Sequence, residues 1–143
     1  MEVQEKSSSR RVLLLSTLAL TIACGLALRR FGYEAHLPFA VVKYGGSILW
    51  GSMVYLLLAS LRVTTKPGKI AMAAALIAIF VEFFRLVHTP WLDAFRLTTA
   101  GALLLGRVFS LWNILAYAAG IGAALALDAA FPASRGVRQK PAA

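Results

Sequence analysis

Glu82 and Arg85 stand out as the residues most able to do chemistry, because both interrupt an otherwise uncharged apolar run. Three positions apart, they share one face of a helix and can pair. A charge inside a membrane span costs about 3 kcal/mol or more on insertion scales, and such residues usually face the bundle interior. The pair therefore reads in two ways, as a neutralised lock between helices or as part of a ligand or catalytic site. Asn113 and Tyr117 are four apart and share a helix face, and Ser47 and Trp50 open another apolar run. Glu82 is the only carboxylate at that depth, whereas Arg29, Arg30, Lys43, Arg85 and Arg96 can all approach it. A surplus of guanidinium suits phosphate or carboxylate, which it binds in a bidentate fashion.

Catalysis is less favoured by the same residues. Acid–base work usually wants two titrating groups held apart in pKa, and only Glu82 and His88 are on offer. No catalytic residue is assigned, and an enzyme is the weaker expectation. His88 has no second His or Cys at ligand spacing, so neither a metal site nor a cofactor is expected. Walker loop, nucleophile elbow and HExxH motif are all missing from the sequence.

The elements that must position these groups follow from composition. Hydrophobic residues make up 59% of the 143 and charged residues 15%, with mean hydropathy +0.74. A water-soluble fold so apolar would expose large greasy patches, which excludes a soluble enzyme, a disordered tail and a fibrous repeat. The net charge of +9 would suggest nucleic acid in a soluble protein. Here the basic residues fall between apolar runs, where they anchor span ends against anionic headgroups, and no nucleic-acid partner is expected. The single cysteine, Cys24, cannot form an intramolecular disulfide.

Uncharged runs predict an all-α membrane protein, a bundle of four transmembrane helices over about 12–28, 47–61, 70–87 and 108–131. The first is expected to be a retained helix rather than a cleaved signal peptide, because the apolar run continues past Cys24. Pro38 and the paired Gly45 and Gly46 argue against one continuous helix from Phe31 to Gly46, so a short interfacial segment is expected there. Between Arg96 and Arg107 lie ten residues, about 15 Å of helix. That stretch should be re-entrant or interfacial before the last helix, or else extend that helix. A tail at 1–11 and a basic tail at 132–143 flank the single domain.

With the N-terminus inside, nine basic residues (Lys6, Arg10, Arg11, Arg62, Lys66, Lys69, Arg135, Arg138, Lys140) lie on the cytoplasmic side and six (Arg29, Arg30, Lys43, Arg85, Arg96, Arg107) on the other. The positive-inside rule then puts both termini in the cytoplasm. Glu82, thirteen residues after Lys69, lies about 20 Å from the inner face, so the polar groups of all four helices meet in the outer third of the membrane. Asp128, near the inner end, should meet Arg62 or Lys66. The rows Ala116, Gly120, Ala124 and Ala118, Gly122, Ala126 allow close helix packing, within the chain in preference to a dimer; a homo-oligomer stays open. Trp50, Trp91 and Trp112 read as interface anchors.

Gly25 with Arg29, Leu37-Pro38, Lys43-Tyr44-Gly45-Gly46 and Leu49-Trp50 precede Glu82-Phe83, Pro90-Trp91, Arg96, Thr98-Thr99, Gly106, Phe109, Tyr117 and Gly120-Ile121. In order and spacing this series resembles the small bacterial membrane proteins grouped as domain of unknown function 2809, over about Val12 to Asp128. The Glu and the motif before the last helix are also distantly similar to the VanZ family, linked to glycopeptide (teicoplanin) resistance. The resemblance implies a multi-pass protein of the bacterial inner membrane and cell envelope, and it adds Tyr44 to the candidates. It also exposes departures. Ser47 and Asn113 stand where the family tends to have Asp, and Arg85 where it tends to have Gln. Two acids are missing and one cation is gained at the polar level: a family site that uses paired carboxylates for a cation or for acid–base work would be lost in this member, whereas one that binds an anion would bind it more tightly.

The expected function is a non-catalytic membrane protein that binds an anionic lipid or lipid-linked phosphate, with membrane lipids as its partners. Its binding residues would be Arg29, Lys43, Tyr44, Ser47, Glu82, Arg85, Arg96, Asn113 and Tyr117. The alternatives are a membrane-embedded enzyme on a lipid-linked substrate, with Glu82 as general base, and a small-solute or ion transporter.

Overall fold

The computed structural model describes residues 2–106 and 108–130. Arg107 and the basic tail 132–143 lie outside the described residues. Six helices follow in order: α1 (Glu2–Phe31), α2 (Phe39–Leu61), α3 (Pro67–Phe84), α4 (Pro90–Leu97), α5 (Thr99–Leu104) and α6 (Leu111–Ala130). Among the described residues there is no strand. Stretches of α1, α2, α3 and α6 are long and apolar enough to cross a membrane. In lipid every backbone N–H and C=O must be satisfied within the segment, which is why these apolar runs are helical.

Helix boundaries depart from the runs of hydropathy where a local residue or a distant partner decides. α1 carries its helix back to Glu2, well before the expected span at 12, and Arg10 is tied to α6 from within that extension. The break before α2 is shorter than Pro38 and the paired glycines suggested, for α2 starts at Phe39 and passes through Gly45 and Gly46. Pro38 is the N-cap, where the missing N–H costs nothing because first-turn donors have no partner inside the helix. At Gly45 an added Cβ would come within 3.0 Å of Leu28, so the glycine lets α1 lie close.

The stretch 97–106 does not extend the last helix. It forms the separate α5, capped by the Thr98 hydroxyl, which accepts from the Gly101 N–H at 3.0 Å. The chain then turns at Gly106, whose φ of +66° favours a glycine.

α2 is the central helix, packed against α1, α3 and α6, and α3 also packs on α6. The core joins Leu14 and Leu18 of α1, Val54, Tyr55 and Ala59 of α2, Ile70, Ala74 and Ala78 of α3, and Tyr117, Ile121 and Ala124 of α6. Small residues set the α2–α6 spacing. A Cβ at Gly120 would lie 2.0 Å from the Ile48 carbonyl, and one at Gly51 2.6 Å from that of Tyr117. Only the row Ala116, Gly120, Ala124 is buried; Ala118, Gly122 and Ala126 face outward. Large apolar side chains such as Leu20, Met72, Phe80 and Leu115 are exposed on the outside of the bundle. That surface suits lipid rather than water.

The far end of the bundle carries its own polar lock. The Asp128 carboxylate accepts from the Arg10 guanidinium at 2.8 Å and from the Tyr55 hydroxyl at 2.8 Å. Arg10 also donates to the Val63 carbonyl. The expected partners of Asp128, Arg62 and Lys66, are exposed instead. The extension of α1 instead brings Arg10, whose side chain is only 13% exposed, to the carboxylate.

Candidate functional site

The end of α3, the start of α6 and the irregular segment between α5 and α6 meet around Glu82, whose side chain is 0% exposed. Glu82 lies on the last turn of α3 and Arg85 is its C-cap. One guanidinium nitrogen of Arg85 sits 2.6 Å from Glu82 Oε2. The same oxygen accepts from the Tyr117 hydroxyl at 3.0 Å. Oε1 accepts from the Ser110 backbone N–H at 2.6 Å and from the Asn113 amide at 3.1 Å. Both oxygens are thus filled by donors, as a buried carboxylate requires.

Arg85 is similarly committed. Its Nε donates to the Leu105 carbonyl at 2.6 Å, and its two terminal nitrogens donate to the Val108 carbonyl at 3.3 Å and the Tyr117 hydroxyl at 2.8 Å. Gly106 lies so close to this guanidinium that a Cβ would sit 2.5 Å from it. The ion pair therefore does more than join α3 to α6. It also fastens the segment between α5 and α6 by three backbone groups, those of Leu105, Val108 and Ser110.

Beside this network is a cavity of about 900 Å³ between α1, α2, α5 and α6. Ile22, Leu26, Leu49, Met53 and Leu104 supply apolar wall; Arg29, Lys43, Ser47, Arg85, Asn113 and Tyr117 supply polar wall. Ser47 donates to the Lys43 carbonyl at 3.2 Å and lies 3.3 Å from the Asn113 side-chain oxygen. Arg29 donates to the Ala102 carbonyl of α5 at 3.2 Å. The Lys43 ammonium lies over the rings of Phe39 and Tyr44, 5.5 and 5.2 Å from their centroids.

The structure thus brings Glu82, Arg85, Asn113, Tyr117 and Ser47 into one hydrogen-bonded group and places Arg29 and Lys43 on the adjoining cavity. Tyr44 and Arg96 do not line it. Arg96 is buried against the end of α3, donating to the Phe84 and Val87 carbonyls at 2.7 Å each and lying 3.1 Å from Asp93. It satisfies the carbonyl of the last residue of α3 and one in the turn that follows.

Trp50, expected as an interface anchor, is instead part of the site, and the backbone groups around Gly106 were not expected there at all. Trp50 lines the cavity, with its ring centroid 4.9 Å from that of Tyr117. The spacing Lys43, Ser47, Trp50 places it on the same face of α2, a usable signal. The backbone groups of Leu105, Val108 and Ser110 carry no signal in side-chain chemistry at all.

Residues 36–121 match the family described as Protein of unknown function (DUF2809). The match contains α2 to α5 and the first half of α6, and with them Lys43, Ser47, Glu82, Arg85, Asn113 and Tyr117. Arg29 falls outside it. No solved structure matches the chain.

Proposed function

The chain belongs to this family of membrane proteins of unknown function, and we propose that it binds an anionic lipid or lipid-linked phosphate in the cavity beside Glu82. One observation carries the reading: a cavity of about 900 Å³ has apolar walls on α1 and α2 and cationic side chains, Arg29, Lys43 and Arg85, on the same lining. Such a lining suits an amphiphile with a negative head. In this reading Glu82 is the anchor of Arg85 rather than a base. Its oxygens are filled, so a reacting group would have to displace Tyr117, Ser110 or Asn113. The protein sits in the bacterial inner membrane with both termini in the cytoplasm, and the site opens toward the outer leaflet.

The test is the lipid content of the full chain purified in mild detergent, read by mass spectrometry. The expected result is an anionic lipid enriched over the bulk membrane, with the enrichment reduced in Lys43→Gln. Lipid that mirrors the bulk membrane in both proteins would overturn the reading.

A further inference from the structure

The chain has six acidic residues, and their partners define what charge is left over at the cavity. Glu34 pairs with Arg30, Glu82 with Arg85, Asp93 with Arg96 and His88, and Asp128 with Arg10. Glu2 and Glu5 lie at the start of α1, the opposite end from Arg29. Arg29 and Lys43 therefore have no carboxylate partner among the described residues. Their contacts are a carbonyl oxygen and two aromatic rings. Among the described residues, no carboxylate and no histidine lines the cavity. The charge of Arg85 is already matched by Glu82, which leaves, among the described residues, the two positive charges of Arg29 and Lys43 uncompensated on one largely apolar space.

From this balance, and resting on the reading above, we propose that the ligand head is a phosphate monoester. Such a head carries about −1.5 to −2 at pH 7, since its second ionisation falls near about 6. It matches Arg29 and Lys43 charge for charge and offers only acceptors to them. A phosphodiester brings one negative charge and leaves one cation unmatched in a low-dielectric setting. An ethanolamine or choline zwitterion brings an ammonium, for which the cavity lining holds no carboxylate.

The ionisation of the head itself supplies a distinctive signature. Among the described residues, the charged groups that line the space are Arg29 on α1, Lys43 on α2 and Arg85 at the end of α3, whose partner Glu82 lies outside the lining. Tyr33 follows α1, Tyr117 and Asn113 stand on α6, and α5 contributes the uncharged Ala100, Ala102 and Leu104. The nearest histidine in sequence, His36, is in the α1–α2 connection and does not line the space. Preference for the monoester should therefore follow the second ionisation of the phosphate.

The experiment uses the full chain, immobilised in dodecyl maltoside, with radiolabelled dioleoyl phosphatidic acid as probe. Unlabelled dioleoyl phosphatidic acid, phosphatidylglycerol, phosphatidylcholine and inorganic phosphate compete. At about pH 7.5 phosphatidic acid should compete about tenfold better than phosphatidylglycerol, a difference of about 1.4 kcal/mol. Near about pH 5, where the monoester carries one charge, the two should compete within about twofold. Lys43→Gln should also bring them level at about pH 7.5, whereas Lys43→Arg should keep the preference. Equal competition by the two anionic lipids at both pH values overturns the monoester assignment and leaves anionic-lipid binding standing. Phosphatidylcholine competing as well as both overturns the anionic reading itself. Inorganic phosphate competing at the same concentration as phosphatidic acid keeps the head chemistry and overturns the lipid.

Discussion

Breaking the Glu82–Arg85 pair tests whether its two members act as one unit. With a 2.6 Å nitrogen–oxygen contact and side chains 0% and 9% exposed, neither charge has water to fall back on. At an effective dielectric near 20, unit charges about 4 Å apart attract by roughly 4 kcal/mol before desolvation. Removing one partner of a buried pair typically costs about 3–5 kcal/mol, because the other is left uncompensated. Glu82→Gln and Arg85→Gln should each lose that much stability in equilibrium unfolding titrations of the detergent-solubilised protein. The double mutant should lose less than the sum by about 2 kcal/mol or more, within the range of direct couplings. It should not recover fully. Arg85 also holds the Leu105 and Val108 carbonyls and Glu82 the Ser110 N–H, and each orphaned backbone group costs about 1–3 kcal/mol. Losses that add within about 0.5 kcal/mol would refute direct pairing.

Three further outcomes follow from separate parts of the fold. Gly120→Ala, which aims a Cβ at the Ile48 carbonyl, should cost about 1–3 kcal/mol by overpacking, whereas Gly122→Ala, with nothing within 4 Å, should be neutral or slightly stabilising in the same titrations. Asp128→Asn should cost about 3 kcal/mol by stranding Arg10, while Arg62→Gln should change stability by less than about 0.5 kcal/mol; equal losses would mean that Arg62 shares the pair after all. In a Cys24→Ser background, Cys placed at Asp93 should be labelled by an impermeant thiol reagent in intact cells, and reporters fused at both ends should read cytoplasmic. Labelling only after lysis would reverse the orientation and move the cavity to the inner leaflet.

Hydropathy and spacing, both local properties, were enough for the four long helices, the pairing of Glu82 with Arg85 and the shared face of Asn113 and Tyr117. A lipid-facing helix needs only an unbroken apolar run, and positions three or four apart meet on any helix. Pro38 was ambiguous for the same reason, since the residue that breaks a helix also begins one. Partner choice between helices was not local. Asp128 lies 118 positions from Arg10, and only the lateral packing of the bundle decides that Arg10, rather than Arg62 or Lys66, reaches it. Arg96 reads in sequence like any other cation at the polar level, yet the fold turns it onto the carbonyls of α3 and away from the cavity. The segment from Leu105 to Ser110 contributes backbone N–H and C=O groups, which every residue but proline carries alike, so side-chain type cannot announce them. Their role follows from the turn at Gly106, which points them at a buried ion pair that only the assembled helices create.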